Sequence, residues 1–185
     1  MEQETVIREM KERAEAVQSR VSEVKDMAEA FAYAVELTRK QGGTSIAAPG
    51  LAPPDLDALK KLCGEHGVAF ITGNLRSRIG NIHTGFTIAA WGIAETATLV
   101  IPSSGEDTRI ATMLSETHVA VIPRSHVHPD MEAIEGDLDR LIKSPPSYLA
   151  FISGASRTAD IERVLTIGVH GPQELHILIL EDQES

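Results

Sequence analysis

The chain has 185 residues, of which 42% are hydrophobic and 24% are charged, and these values are typical of one globular domain with its own apolar core. The formal net charge of −10 argues against a nucleic acid or an anionic membrane surface as a partner, because both bind basic faces. The single cysteine, Cys63, excludes an intramolecular disulfide and cannot by itself ligate a four-cysteine zinc ion or an iron–sulfur cluster.

The N-terminal part of the chain has a helical pattern. Apolar residues recur at alternating steps of three and four between Ile7 and Val35, and the pattern stops at the glycine pair 42–43. We predict a helical extension over residues 1–42, followed by an α/β domain over residues 43–185. The apolar stripe packs either on the core of the same chain or, as a coiled coil, on a second copy, which keeps a homo-oligomer open.

The first twenty residues are charged and helix-forming, and they contain no apolar segment of the kind found in signal peptides. No apolar run in the sequence approaches the length of a membrane span. We therefore expect a cytoplasmic protein.

Short apolar strands alternate with helices in the rest of the chain. The strands are predicted at 44–48, 68–72, 97–102, 118–122, 148–153 and 174–180. The helices are predicted at 55–67, 106–114, 131–142 and from about residue 158 onward, and the polar stretch 74–84 is predicted to be an exposed loop. Strands that are apolar throughout indicate a Rossmann-like, mainly parallel sheet with helices on both faces.

In such a sheet, ligands bind at the carboxyl ends of the strands. This rule predicts that the turns after residues 72, 102, 122 and 153 form the functional edge.

The turn after residue 153 is the main candidate for an anion site. Ser153 and Gly154 open it, Ser156 and Thr158 add hydroxyls, and Arg157 adds a fixed positive charge. A helix starting near residue 158 would add unpaired N–H groups that favour a carboxylate or phosphate. The alternative is that Ser156 or Thr158 simply caps this helix while Arg157 points into solvent.

Glu95 is the second candidate. It precedes an apolar strand, where a carboxylate could serve as nucleophile or general base, or could simply hydrogen-bond a neighbouring loop.

Weaker candidates lie elsewhere in the chain. The Ser/Gly-rich turn at 103–109 is a second anion site, made less favourable by its two acidic residues. The pair His126 and His128 resembles a metal motif, but no cysteine or carboxylate cluster accompanies it, so we predict no metal site. Since no glycine-rich dinucleotide fingerprint is present either, we expect no cofactor in this chain.

Four segments together resemble the LUD domain of the lactate-utilisation protein C family. They are GIAETATLVI, SETHVAVIP, ISGASRTADIE and GVHGPQELHILIL, and the resemblance covers residues 92–181. The resemblance implies a fold related to glucosamine-6-phosphate isomerase, ribose-5-phosphate isomerase and the CoA-transferases. It also implies a place in a three-protein system that oxidises L-lactate to pyruvate, in which partner subunits carry the iron–sulfur clusters.

The resemblance carries over a set of residues that are expected to line a cleft. They are Glu95, Thr96, Ser156, Arg157, Thr158, Asp160, His170 and Gly171. Ala97 stands where the family usually has glycine.

Two functions follow from these observations. In the first, the protein is a non-redox component of the lactate-oxidising system that binds a small carboxylate or phosphate, or docks on an iron–sulfur partner. In the second, it is an enzyme of the CoA-transferase or sugar-phosphate isomerase type with Glu95 as nucleophile or base.

Overall fold

The computed structural model describes residues 3–143, 148–158, 166–168 and 170–182. The helices are α1 Gln3–Ala16, α2 Met27–Lys40, α3 Pro53–Glu65, α4 Glu106–Met113 and α5 Glu135–Ile142. Short 3₁₀ turns lie at Leu75–Arg78, Ala94–Thr96, Arg124–His126 and Glu132–Ile134. The first six strands are β1 Arg20–Val24, β2 Ser45–Ala47, β3 Ala69–Ile71, β4 Thr84–Ile88, β5 Trp91–Ile93 and β6 Thr98–Pro102. The other six are β7 Thr117–Pro123, β8 Val127–His128, β9 Leu149–Ile152, β10 Arg157–Thr158, β11 Thr166–Ile167 and β12 Glu174–Leu180.

The centre of the fold is a six-stranded sheet in the order β1-β12-β7-β4-β2-β3, in which every pair of neighbours is parallel. Its middle strands are buried along most of their length, which is why they are apolar on both faces. The predicted α/β class with a mainly parallel sheet is confirmed.

Two apolar clusters cover the two faces of this sheet. On one face, α2 and α3 pack on Phe86, Val119 and Leu178. On the other, α1 and a second sheet pack on Ile122 and Ile177. Helix α4 lies on this second face beside β4, and Gly85 of β4 closely approaches the helix backbone at Ala111. Helices on both faces were predicted, and the structure confirms them.

The second sheet corrects one part of the prediction. Strands β6 and β9, which were predicted to join the parallel sheet, lie in a four-stranded sheet of order β8-β5-β6-β9 and pair antiparallel with each other. The link between β5 and β6 is only four residues long, and a parallel connection needs about a dozen. That short link makes β5 and β6 an antiparallel pair, set apart from the main sheet.

The N-terminal part, predicted to be helical over residues 1–42, contains two helices with a strand between them. Strand β1 pairs with β12 at the edge of the main sheet, so residues 20–24 are not helical. The helical periodicity runs on across the turn that ends α1, where Gln18 has a φ of +59° and the Ser19 N–H donates to the Ala14 carbonyl oxygen at 2.8 Å. That turn breaks the helix where the apolar spacing alone shows no break.

Strand β4 was also missed, because its sequence TGFTI contains two threonines and a glycine. Both hydroxyls are buried and paired. Thr84 Oγ1 lies 2.7 Å from Thr38 Oγ1, and Thr87 Oγ1 lies 2.8 Å from His118 Nε2. Polar residues with such partners can occupy a buried strand at little cost.

In the described ranges, no helix is both long enough and apolar enough to cross a membrane.

Gly85 provides a test of the close contact between β4 and α4. A Cβ at this position would lie 2.1 Å from the backbone oxygen of Ala111. Gly85→Ala is therefore expected to lower the free energy of unfolding by about 1–3 kcal/mol or more, since the helix must move away from the sheet. Urea denaturation measures this loss.

Gly64 is the matched control. It lies within α3, and an added Cβ would meet no atom within 4 Å. Gly64→Ala is expected to raise the free energy of unfolding by about 0.5–1 kcal/mol. A Gly85→Ala protein as stable as wild type would show that α4 does not approach β4 this closely.

Candidate functional site

A cavity of about 260 Å³ lies between the start of the main sheet and the second sheet. Its apolar walls are formed by Met113, Phe151, Ile152, Pro172 and Leu175. Its polar groups come from Thr112, His118, Ser153, Ser156 and His170, with Gly154 and Gly171 between them. Five of the residues predicted from sequence therefore come together here: Ser153, Gly154, Ser156, His170 and Gly171.

The cavity lies at the amino ends of β7 and β12, not at the carboxyl ends that were predicted. His118 and Leu175 are each the second residue of their strand, and they pair across the sheet. The turn after β9 reaches this edge because β9 belongs to the second sheet. The rule for parallel sheets therefore does not apply to a turn that follows β9.

Two of the four segments that carry the family resemblance, those around Ser156 and Gly171, lie against each other. The Ser156 N–H donates to the Pro172 carbonyl oxygen at 2.9 Å, and the Gly168 N–H donates to the Ser156 carbonyl oxygen at 2.9 Å. A Cβ on Gly171 would lie 2.9 Å from Ser156 Cβ. Glycine at 171 is thus what lets the two segments approach.

Arg157 and Thr158 form strand β10, which pairs antiparallel with β11. The prediction that a helix starts near residue 158 is wrong at these two residues, because their backbone is extended and paired. Asp160 and the stretch 159–165 lie outside the described residues, as does the side chain of Thr158.

The guanidinium of Arg157 donates a hydrogen bond to the Val17 carbonyl oxygen. Gly154, with a φ of +81°, lies between them, and a Cβ there would be 2.7 Å from the Val17 oxygen and 2.8 Å from Arg157 Nη2. Arg157 is exposed and is not among the residues that line the cavity. Its charge is fixed at the back of the turn by the segment that follows α1.

Glu95 and Thr96 lie in the short turn between β5 and β6, and both are exposed. Neither lines the cavity, but a chain of hydroxyls connects this turn to it. Thr96 Oγ1 lies 2.8 Å from Thr98 Oγ1, which hydrogen-bonds Ser153 Oγ. Ala97, in the place of the family's usual glycine, is left-handed with a φ of +48°.

His118 is a site residue that the sequence reasoning missed. It is 1% exposed, and its Nε2 lies 2.8 Å from Thr87 Oγ1. Its Nδ1 is buried and has no hydrogen-bond partner within the described part of the chain. Burial lowers its pKa from 6.5 to about 4, so the imidazole is neutral. A histidine inside the apolar run THVAVI was the available signal.

The weaker candidates have structural roles. Arg109 Nη1 donates to the carbonyl oxygens of Ser103 and Ser104 at 2.6 and 3.0 Å, which closes the turn at 103–109. His126 Nδ1 lies 3.0 Å from the Ala90 carbonyl oxygen. Across the residues that the structure describes, no group of three His, Cys, Asp or Glu side chains is placed to hold a metal ion.

Comparison with known proteins adds a family and several relatives. The LUD domain family matches residues 7–180. A lactate utilization protein C of Halalkalibacterium halodurans is 36% identical over 102 residues, and one of Bacillus velezensis is 34% identical over 104 residues. The first alignment covers 54% of this chain and 44% of that protein, the second 55% and 43%. An uncharacterized protein of Neisseria meningitidis is 39% identical over 108 residues, 57% of this chain and 46% of that protein. The chain thus spans less than half the length of these relatives.

A solved structure resembles the whole fold. The crystal structure of a DUF162 family protein from Deinococcus radiodurans matches with a TM-score of 0.65, over 97% of this chain and 99% of that chain. The sequence identity is 16%, so this likeness shows the fold alone.

The depressed pKa of His118 predicts a specific pH dependence of stability. Between pH 6.5 and 4 the unfolded chain binds the proton that the folded protein excludes, so stability rises with pH in this window. The contribution of His118 to the free energy of unfolding is fully present above pH 6.5 and is lost as the pH falls toward 4. From pH 7.5 to pH 5.0, wild type is expected to lose about 2 kcal/mol on this account, and His118→Gln is expected to lose none of it.

Urea denaturation of both proteins at the two pH values measures the difference. The carboxyls whose pKa is lowered, such as Glu23 beside Lys11 and Glu174 beside His176, titrate in both proteins and cancel in the comparison. Equal losses in wild type and variant would mean that His118 titrates normally in the folded protein.

Proposed function

This chain belongs to the LUD domain family, and we propose that it is a non-redox component of L-lactate utilisation that binds a small carboxylate in the cavity between the two sheets. The names of its relatives support the pathway. The observation that carries the site is the cavity itself, which is formed where two of the segments that carry the family resemblance meet. A subunit that binds the small carboxylate while other subunits carry out the oxidation would agree with the relatives' names and with the cavity.

The polar groups of the cavity suit a carboxylate at its mouth. Ser153 and Ser156 supply hydroxyls there, and the exposed His170 lies on the same rim. Arg157 lies behind the turn, where its positive charge favours an anion near the backbone of residues 153–156. An inorganic phosphate is a second anion of suitable size.

The one cysteine supports the non-redox role. Cys63 lies on the buried face of α3, in the core, and burial raises the pKa of its thiol to about 11. A thiol that stays protonated at neutral pH is a poor metal ligand and a poor nucleophile. We therefore propose that the iron–sulfur clusters of the system reside in partner subunits on which this protein docks.

A second candidate is an enzyme of the CoA-transferase or sugar-phosphate isomerase type, in which Glu95 is the nucleophile or base. The hydroxyl chain from Thr96 through Thr98 to Ser153 favours it, since it links the turn of Glu95 to the cavity. We prefer the first function because Glu95 itself does not line the cavity.

Arg157 tests the anion site. Calorimetry on wild type, Arg157→Ala and Arg157→Lys would measure affinity for lactate, pyruvate, phosphate and CoA. Arg157→Ala is expected to weaken binding of the preferred anion by about tenfold, because the fixed positive charge behind the turn no longer attracts it. Lysine is expected to restore only part of it, since it keeps the positive charge but carries it on a compact ammonium that cannot reproduce the guanidinium's position beside the Val17 carbonyl oxygen.

Arg140→Ala is the control. It removes the same charge from the exposed surface of α5, away from the cavity, and should leave every affinity unchanged. Equal affinities in wild type, Arg157→Ala and Arg157→Lys would reduce Arg157 to a tether for the Val17 carbonyl.

Glu95→Gln separates the two candidate functions. If Glu95 is a nucleophile or base, the variant should fold with an unchanged denaturation midpoint and fail to support growth on L-lactate in a strain that lacks the gene. Glu135→Gln, the same change at another exposed position, is the control and should support growth. Full growth with Glu95→Gln would eliminate the second candidate.

A further inference from the structure

We propose that the Nδ1 atom of His118 binds an uncharged oxygen of the ligand, so that the cavity selects carboxylic acids that carry a second, hydroxyl or carbonyl oxygen. This inference rests on the proposed function only in taking the cavity as the ligand site. It adds which chemical group enters the cavity and which residue recognises it.

The first step is the unsatisfied nitrogen. A buried polar atom without a partner costs about 1–3 kcal/mol, so such atoms are rare in folded proteins unless a ligand or water satisfies them. Within the described chain, only Ser19 Oγ and His118 Nδ1 are buried side-chain atoms of this kind, and His118 is the one that lines a cavity.

The second buried histidine shows that this fold can satisfy an imidazole completely. His176 lies on β12 and is also 1% exposed. Its Nδ1 lies 2.7 Å from the Tyr33 hydroxyl, and its Nε2 lies 2.8 Å from Glu174 Oε2. In His118, only Nε2 has such a partner, the Thr87 hydroxyl. The Nδ1 atom has none among the described residues, and His118 lines the cavity.

The second step is the charge of the cavity. None of its described lining residues is a lysine, arginine, aspartate or glutamate, and the imidazole of His118 is neutral. A carboxylate next to His118 would therefore lose its hydration without gaining a positive partner. An uncharged oxygen incurs a much smaller desolvation cost, so the carboxylate belongs at the mouth and the second oxygen at His118.

The third step is the tautomer. The Thr87 hydroxyl can donate to Nε2, which leaves a proton on Nδ1 to bind a carbonyl oxygen. It can equally accept from Nε2–H, which leaves Nδ1 as an acceptor for a hydroxyl. One residue therefore accommodates both a hydroxy acid and the oxo acid derived from it.

The apolar walls of the cavity favour a ligand that carries an apolar side chain. Leu175 and Ile152 flank the inner part of the cavity, and Phe151, about half exposed, flanks the mouth. A cavity of about 260 Å³ has room for more than a methyl group beside the two oxygen-bearing carbons. A larger apolar side chain on the acid should therefore raise the affinity.

Two variants of His118 separate its two nitrogens. Asparagine places a polar atom near the position of Nδ1 and loses the contact with Thr87, whereas glutamine reaches the position of Nε2 and leaves no polar atom at Nδ1. The probes are lactate, pyruvate and propionate, which differ only in the second oxygen, and the matched series of 2-hydroxy-4-methylpentanoate, 2-oxo-4-methylpentanoate and 4-methylpentanoate.

Calorimetry at pH 7.5 is expected to show that wild type binds the oxygen-bearing acids about tenfold more tightly than the matched acid without that oxygen. His118→Asn should keep most of this preference, and His118→Gln should lose it. The 4-methylpentanoate series should bind more tightly than the lactate series in all three proteins.

A spectroscopic measurement covers the case in which a variant does not fold. In wild type with ¹⁵N-labelled histidine, saturating pyruvate should shift the Nδ1 resonance of His118 and leave that of His176 unchanged. An unshifted Nδ1 with pyruvate bound, or an oxygen preference that survives in His118→Gln, overturns the inference and leaves the proposed function standing. If none of the acids binds wild type, both the inference and the proposed carboxylate site fall.

Discussion

The pairing of β12 with two neighbours is the interaction on which the rest of this structure depends. β12 lies between β1 and β7, and its alternate residues belong to the apolar clusters on opposite faces of the sheet. Ile177 packs toward α1 and the second sheet, whereas Leu178 packs toward α2 and α3. One seven-residue strand thus connects both halves of the core, and its start also fixes the segment that carries His170 and Gly171.

The position of the cavity follows from this arrangement. The chain enters β12 through residues 170–173, and Gly168 and Pro172 are hydrogen-bonded to Ser156, in the segment after β9. Because β9 is in the second sheet, the cavity forms where the two sheets diverge, and it opens beside the first residues of β7 and β12. His118 is buried at this point, and its Nδ1 has no hydrogen-bond partner among the described residues.

Sequence reasoning succeeded where a local pattern decides the structure. The apolar runs of β7 and β12 and the helix of α3 follow directly from composition and spacing. It failed where a hydrogen-bond partner far away in the sequence determines whether a polar residue can occupy a buried strand. Thr84 and Thr87 look like loop residues until Thr38 and His118 are placed beside them.

The same limit applies to the site. The segments around Ser156 and Gly171 could be recognised as important, but their mutual contact could not be derived from either alone. The alternation of strands and helices gives no sign that β9 leaves the parallel sheet, so the turn after β9 was expected at the carboxyl edge of that sheet and lies instead beside the amino ends of β7 and β12. His118 was missed because its role depends on which of its two nitrogens has a partner, and that depends on Thr87, 31 residues earlier in the chain.

The place of β1 has a consequence for how the protein is made. Arg20 pairs with His176 and Val24 with Leu180, so this strand meets its neighbour only after more than 150 further residues have been synthesised. Contacts between such distant parts of a chain slow folding, because a long loop must close before they form. While the ribosome is still at work, the edge of β1 and the apolar side of α1 have no β12 to cover them. We expect this stage to be the one at which the nascent protein is most exposed to aggregation and most dependent on chaperones.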